Sequence, residues 1–171
     1  MKIINPKKIP EDMLPIIILS DDLRGVFSWA IKSHTNGYYS HAMIMINKGK
    51  VVTQGGTYKE VPIENYMTER YRLKFWKPDL TLRDILTIQK EVNKDLKQNW
   101  WRKSYDYLGI LGQLFKVRWL NNPYKSFCSE RVAKYLRLVF DCIPKHPAPA
   151  DLNKLFAKMG RMSVYGHWIS G

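Results

Sequence analysis

Short apolar runs separated by turn residues dominate the first half of the chain, and longer helical patterns follow them. The run Ile16-Ile17-Ile18-Leu19 suits a buried strand and falls far below the ~18 apolar residues that a membrane span needs. Further strands are predicted at 38–46, 51–54, 61–63 and 73–76, and helices at 23–33, 80–97, 129–140 and 151–159. This order of elements predicts an α+β fold.

The chain length indicates one domain, because 171 residues match the usual size of a single folded unit. We predict an irregular, proline-containing arm over residues 1–13 and one domain over residues 14–171. The N-terminus does not resemble a secretory signal, since Glu11 and Asp12 interrupt it before any apolar stretch develops. The sequence therefore predicts a cytoplasmic protein.

Cationic side chains are concentrated in the second half of the chain. The net charge is +13, and residues 97–171 carry 13 basic but only 4 acidic side chains. Such an excess suits an anionic partner, such as a cell-wall polymer, an acidic lipid surface or a nucleic acid. The segment Trp100-Trp101-Arg102-Lys103 also places stacking aromatics among cations. A basic nucleic-acid-binding module without catalysis is therefore the alternative function.

Two cysteines lie near the two ends of one predicted helix. Cys128 and Cys142 would be separated by about 20 Å along that helix, well beyond the ~7 Å limit for a disulfide. Cys128 enters the helix with Ser126 available as a cap, and the helix dipole there favours the reactive thiolate. The alternative is a small buried residue that packs under the helix. We interpret Cys142 as structural.

His41 is the best candidate for a general base among the four histidines. It opens the apolar strand Ala42-Met43-Ile44-Met45-Ile46, where a rigid element can hold it at the edge of a cleft. The alternative is a histidine exposed at the end of a strand. His34, His146 and His167 are discounted because they fall after a helix, in a proline-rich loop and in the tail.

A third polar group is expected to orient the imidazole by accepting a hydrogen bond from its other nitrogen. Gln54 lies on the strand that pairs with the strand of His41, and Thr53 is its local competitor. We predict no cofactor and no metal site, because the sequence lacks Cys-x-x-Cys and His-Glu-x-x-His spacing.

Several short segments, taken in order, resemble a known family. They are Ser20-Asp21 at a strand end, Ser40-His41-Ala42 at a strand start, Tyr105-Asp106-Tyr107, Phe127-Cys128-Ser129-Glu130 at a helix start, and the late segment 147–152. This order is similar to that of the circularly permuted papain-like amidases related to NlpC enzymes, the YiiX/YaeF type, in which the histidine precedes the cysteine. The resemblance covers residues 14–155.

The resemblance implies a single papain-like domain with a small antiparallel sheet packed against helices. It also implies a cysteine hydrolase that cleaves a peptide, isopeptide or lipid amide, or an ester, through a thioester. Cys128 would be the nucleophile, His41 the base and Gln54 the orienting residue, although the family more often has Glu at the third place. The backbone N–H of Cys128 and a donor near Tyr39 would stabilise the oxyanion.

Overall fold

A six-stranded antiparallel sheet organises the part of the chain that the computed structural model describes, residues 2–55, 57–98 and 128–169. The strands are β1 (Ile16–Asp22), β2 (His41–Asn47), β3 (Lys50–Gly55), β4 (Thr57–Pro62), β5 (Tyr71–Pro78) and β6 (Met162–Ile169). The helices are α1 (Val26–Thr35), α2 (Leu82–Leu96), α3 (Cys128–Leu136) and α4 (Pro149–Lys158). Short 3-10 turns lie at Pro6–Lys8, Glu11–Met13 and Ile63–Tyr66.

The strand β1 lies inside the sheet, whose spatial order is β4-β3-β2-β1-β5-β6. It pairs with β2 on one side and β5 on the other, and Ile16 to Leu19 are fully buried. Since both faces of β1 are covered, the run contains no polar alternation. The register places Ser20 of β1 directly opposite His41 of β2.

Two apolar clusters cover the two faces of the sheet. On one, which we call the helix face, Ile17, Ala42 and Ile44 join side chains of α2, α3 and α4. On the opposite face, Ile18 and Met43 pack with residues from the lead-in segment, and the cluster includes Ile9, Leu14, Ile16, Met45, Val51, Ile63, Leu73 and Phe75. The sheet is thus buried on both sides.

The structure confirms a mixed fold with an antiparallel sheet and helices, and corrects several bounds. The C-terminal strand β6 was not predicted from the sequence, and β4 begins at Thr57 rather than near residue 61. The helix predicted over 129–140 ends at Leu136. The aromatic segment 100–120 lies outside the described residues. Within those residues, no helix has the length and apolar character needed to span a membrane.

Candidate active site

His41 is fixed at the end of the sheet by a chain of hydroxyl groups. Its Nε2 lies 2.6 Å from Thr53 Oγ1, and that oxygen lies 3.0 Å from the hydroxyl of Tyr66. The ring of Tyr66 also stacks on the imidazole, with a centroid distance of 6.3 Å and an interplanar angle of 16°. Two elements, β3 and the turn before β5, therefore hold the position of the ring.

Cys128 is the first residue of α3, a helix that packs against β2 and β3. Cys128 is 3% exposed, and its thiol interacts with the side chain of His41 by charge and hydrogen bonding. The backbone N–H groups of Ala42 and Ser129 also favour the ionised sulfur. Because Nε2 of His41 faces Thr53, Nδ1 is the ring nitrogen left for the thiol. The structure thus brings together the cysteine and the histidine that the sequence singled out.

Burial and charge have opposing effects on the thiol. Burial disfavours the thiolate, but the charge of His41, its hydrogen bond and the N–H groups of Ala42 and Ser129 outweigh burial and lower the pKa of Cys128. Burial likewise opposes protonation of His41, while the Cys128 thiolate and the Asp22 carboxylate raise the pKa of the imidazole above its usual value. The two shifts together favour a thiolate–imidazolium pair.

Asp22 is a charged neighbour that sequence reasoning did not select. Its carboxylate accepts two hydrogen bonds from Arg70, at 2.8 and 2.6 Å, and two more from the backbone N–H groups of Arg24 and Gly25. Burial alone would raise the pKa of Asp22. The hydrogen bonds and the charge of Arg70 outweigh burial and lower the pKa, so the carboxylate stays charged. The signal available in the sequence was the polar cluster Ser20-Asp21-Asp22 at the end of β1.

Gln54 does not occupy the place that the sequence analysis gave it. Adjacent residues of a strand face opposite sides of the sheet, and here Thr53 faces His41 while Gln54 lies on the helix face. The Oε1 atom of Gln54 accepts a hydrogen bond from Arg131 Nε at 3.0 Å. The hydrogen bond to His41 Nε2 comes from the competitor, Thr53.

A buried polar cluster surrounds Asp95 beneath α3. Asp95 is 0% exposed and accepts hydrogen bonds from Arg131 Nη1 (3.1 Å), Lys134 Nζ (2.8 Å) and the Tyr135 hydroxyl (2.9 Å). Arg131 is buried although it is charged, because Asp95 and Gln54 supply hydrogen-bond partners for its guanidinium. The cluster joins α2 to α3 one turn from Cys128.

The structure describes several of the other candidate residues, and some lie outside the described ranges. Cys142 is an exposed free thiol. His146 Nδ1 lies 2.7 Å from Glu130 Oε1, and His167 lies on β6. Tyr39 is partly buried, and burial together with the charge of Asp21 raises its pKa. Ser126, Phe127, the segment 100–103 and the segment 105–107 lie outside the described residues.

Comparison with known proteins finds similarity to solved structures but not to characterised sequences. No protein-family model and no curated protein matches the chain. A crystal structure of the metalloprotein yiiX from Escherichia coli O157:H7 superposes with a TM-score of 0.60, over 90% of this chain and 97% of that one, at 13% sequence identity. This protein has a YiiX-type fold. At such low identity the likeness concerns the fold alone.

YiiX is described as a metalloprotein, so the metal-binding side chains of this chain are relevant to its site. The described residues contain no group of three or more His, Cys, Asp or Glu side chains that could hold a metal ion. Beside the Cys128–His41 pair, the polar group on His41 Nε2 is the neutral hydroxyl of Thr53. One thiol, one imidazole and an alcohol do not match the usual set of three or four ligands for a zinc-type site.

Proposed function

We propose that this protein is a papain-like cysteine hydrolase in which Cys128 is the nucleophile and His41 the general base. The observation that carries the proposal is the pairing of these two side chains at the start of α3, where each favours the charged form of the other. A thiol beside an imidazole, with two backbone N–H groups on its sulfur, is the usual requirement for an activated cysteine.

The reaction is an acyl transfer in two steps. The Cys128 sulfur bonds to the carbonyl carbon of an amide or ester, and the His41 imidazolium gives its proton to the departing amine or alcohol as the C–N or C–O bond breaks. Water then gives a proton to His41 and attacks the thioester carbon. The acid leaves, and the thiolate is regenerated. The Cys128 backbone N–H, with a donor near Tyr39, stabilises the oxyanion.

The charge of the chain favours an anionic substrate. A net charge of +13 raises the local concentration of anionic molecules and speeds their encounter with the protein. Amides or esters on a cell-wall polymer, a lipid or an acidic protein all meet this requirement. We therefore expect anionic acyl substrates to be cleaved faster than neutral analogues at low salt, and the difference to shrink as salt is added.

Detection of the acyl-enzyme tests the proposal. The wild type, Cys128→Ala and the matched control Cys142→Ala are mixed with a panel of activated esters and amides, and the intact mass is measured. We expect the acyl mass on the wild type and on Cys142→Ala but not on Cys128→Ala, and its removal by hydroxylamine. His41→Ala should slow acylation by about a hundredfold or more. Acylation that persists in Cys128→Ala would contradict the proposal.

A further inference from the structure

The hydroxyl pair behind His41 is unusual for a site that needs a positively charged imidazole. Thr53 Oγ1 contacts both His41 Nε2, at 2.6 Å, and Tyr66 OH, at 3.0 Å. Thr53 is 3% exposed, and the Tyr66 ring lies nearly parallel to the imidazole. Thr53 thus bonds to the imidazole directly, and Tyr66 bonds to Thr53 and stacks on the imidazole.

Counting protons fixes the direction of these hydrogen bonds. An imidazolium carries a proton on each nitrogen, so His41 Nε2 must donate, and Thr53 Oγ1 must accept. The single proton of the Thr53 hydroxyl then points to the other contact, the oxygen of Tyr66. If Tyr66 donated instead, Thr53 would receive two protons and its own would lack a partner among the described contacts.

We propose that Thr53 and Tyr66 form a neutral hydroxyl relay that positions His41, with Tyr66 acting through Thr53. The inference rests on the proposed function and extends it, because it assigns the third position of the site to an alcohol and adds a fourth residue behind it. Both are positioning residues, since each acts on the thiol through His41.

The relay supplies orientation without charge. A carboxylate at Nε2 would stabilise the imidazolium by its charge, whereas an alcohol stabilises it only by a hydrogen bond. Burial raises the pKa of Tyr66, so the phenol keeps its proton at neutral pH and the relay remains uncharged. The positive charge on His41 is then balanced mainly by the Cys128 thiolate and by Asp22.

The test uses the ionisation of Cys128, which requires no substrate. In a Cys142→Ala background, the thiolate is titrated by its ultraviolet absorbance, and alkylation by iodoacetamide is followed at neutral pH. Thr53→Val keeps the side-chain shape but removes the acceptor, and Tyr66→Phe keeps the stacked ring but removes the phenol. Thr53→Ser is the conservative variant, because it keeps the hydroxyl. Tyr71→Phe is a matched control, because it removes a phenol from a ring whose centroid lies 5.2 Å from that of Tyr66.

We expect Thr53→Val to raise the pKa of Cys128 and slow alkylation by about tenfold or more, since a hydrogen bond to a charged group is lost. Tyr66→Phe should change the Cys128 pKa and the alkylation rate in the same direction but by less. Thr53→Ser should keep both quantities near their wild-type values, and Tyr71→Phe should leave them unchanged. Thermal unfolding of each variant reports whether it folds.

The outcomes separate the relay from the proposed function. A Cys128 pKa that stays unchanged in Thr53→Val and Tyr66→Phe would overturn the relay, even if the wild type holds a thiolate. A wild-type Cys128 that shows no lowered pKa would overturn the proposed function itself. If Thr53→Val does not fold, Tyr66→Phe against Tyr71→Phe decides the question alone.

Discussion

At the scale of single residues, the site depends on a balance in which burial is opposed by paired charge. Cys128 is almost fully buried, and an isolated thiolate in such a place would be strongly disfavoured. The imidazolium of His41 and two backbone N–H groups reverse that preference. The thiolate therefore stabilises the imidazolium, and the imidazolium stabilises the thiolate.

Ser20 is a residue whose burial has a measurable cost. It lies opposite His41 on β1, is 0% exposed, and its hydroxyl has no hydrogen-bond partner among the residues that the structure describes. We expect Ser20→Ala to raise the free energy of unfolding by about 1 kcal/mol, because an unsatisfied buried hydroxyl is removed. Denaturant titration measures the change.

Ser28 provides the matched comparison for that prediction. It is also buried, but its hydroxyl donates to the Asp22 carbonyl at 2.7 Å and lies 2.7 Å from Ser40 Oγ. Ser28→Ala should lower the free energy of unfolding by about 1–3 kcal/mol. A loss of similar size in Ser20→Ala would show that the Ser20 hydroxyl does have a partner.

The choice between Thr53 and Gln54 shows what the sequence could predict at this scale. Residue type and position were sufficient to select Cys128 and His41, because each begins an element with a clear apolar pattern. Between two adjacent polar residues of β3, the outcome depends on which side of the strand faces His41. The side on which each residue lies is set by the pairing of β3 with β2 and β4 and by the helix packed against the sheet. These contacts come from distant parts of the sequence, so the local pattern does not predict them.

At the scale of elements, α3 is held in place by the cluster around Asp95. The helix carries Cys128 at its first residue, and Arg131 and Lys134 on its next turn bind a carboxylate contributed by α2. Arg131 also bonds to Gln54 of β3, so the helix is linked to the sheet as well. A displacement of α3 would therefore break this cluster and separate the thiol from His41.

Replacement of Asp95 tests that link. Burial opposes ionisation, but the donors Lys134, Tyr135 and Arg131 lower the pKa of Asp95 below its ordinary value. The stabilisation is therefore present above the unfolded pKa of about 3.9 and is lost as the pH falls through the lower folded pKa. We expect Asp95→Asn to lower the free energy of unfolding by about 3–5 kcal/mol at neutral pH, because the buried guanidinium of Arg131 loses its carboxylate partner.

The pH dependence distinguishes the charge of Asp95 from its shape. The difference in free energy of unfolding between the wild type and Asp95→Asn should shrink in acid, as the wild-type carboxyl gains its proton. Asp79→Asn is the control, since Asp79 is exposed. A difference that is constant from neutral to acid pH would argue against a role for the charge.

The strands at the two edges of the sheet were the hardest elements to predict. In β4 only Tyr58 is buried, and β6 contains Ser163, Gly166 and His167 with little apolar alternation. Edge strands of this kind form because a neighbour pairs with them, so their own composition carries a weak signal. The amphipathic helix α2, with its capping box at Thr81 and Asp84, was predicted nearly to the residue.

At the scale of the whole molecule, the lead-in segment belongs to the packed structure. Ile4 N–H donates to the His167 carbonyl at 2.9 Å, and His167 N–H donates to the Lys2 carbonyl at 2.8 Å. A side chain at Gly166 would approach Ile4 Cγ2 to 2.5 Å, so this glycine permits the close approach. The segment predicted as an irregular arm thus covers the free edge of β6 and one face of the sheet.

Replacement of Ile9 tests how much the lead-in segment contributes to the stability of the fold. It is 1% exposed and belongs to the cluster on the face opposite the helices. We expect Ile9→Ala to lower the free energy of unfolding by about 2–5 kcal/mol, through lost burial and the cavity that remains. Ile3→Ala, at a residue that is 56% exposed, should change it by less than about 0.5 kcal/mol. Equal effects of the two variants would contradict the packing described here.

The central claim is that Cys128 and His41 form a thiolate–imidazolium pair, and peptide-resolved alkylation across a pH range tests it most directly. The pH at which the rate rises reports the pKa of each thiol whatever its accessibility, and Cys142 provides a comparison within the same molecule. We predict that the Cys128 rate rises at a pH below the ordinary thiol value of about 8.5, and that His41→Ala moves this rise upward. A Cys128 profile at or above the ordinary value, unchanged in His41→Ala, would contradict the account.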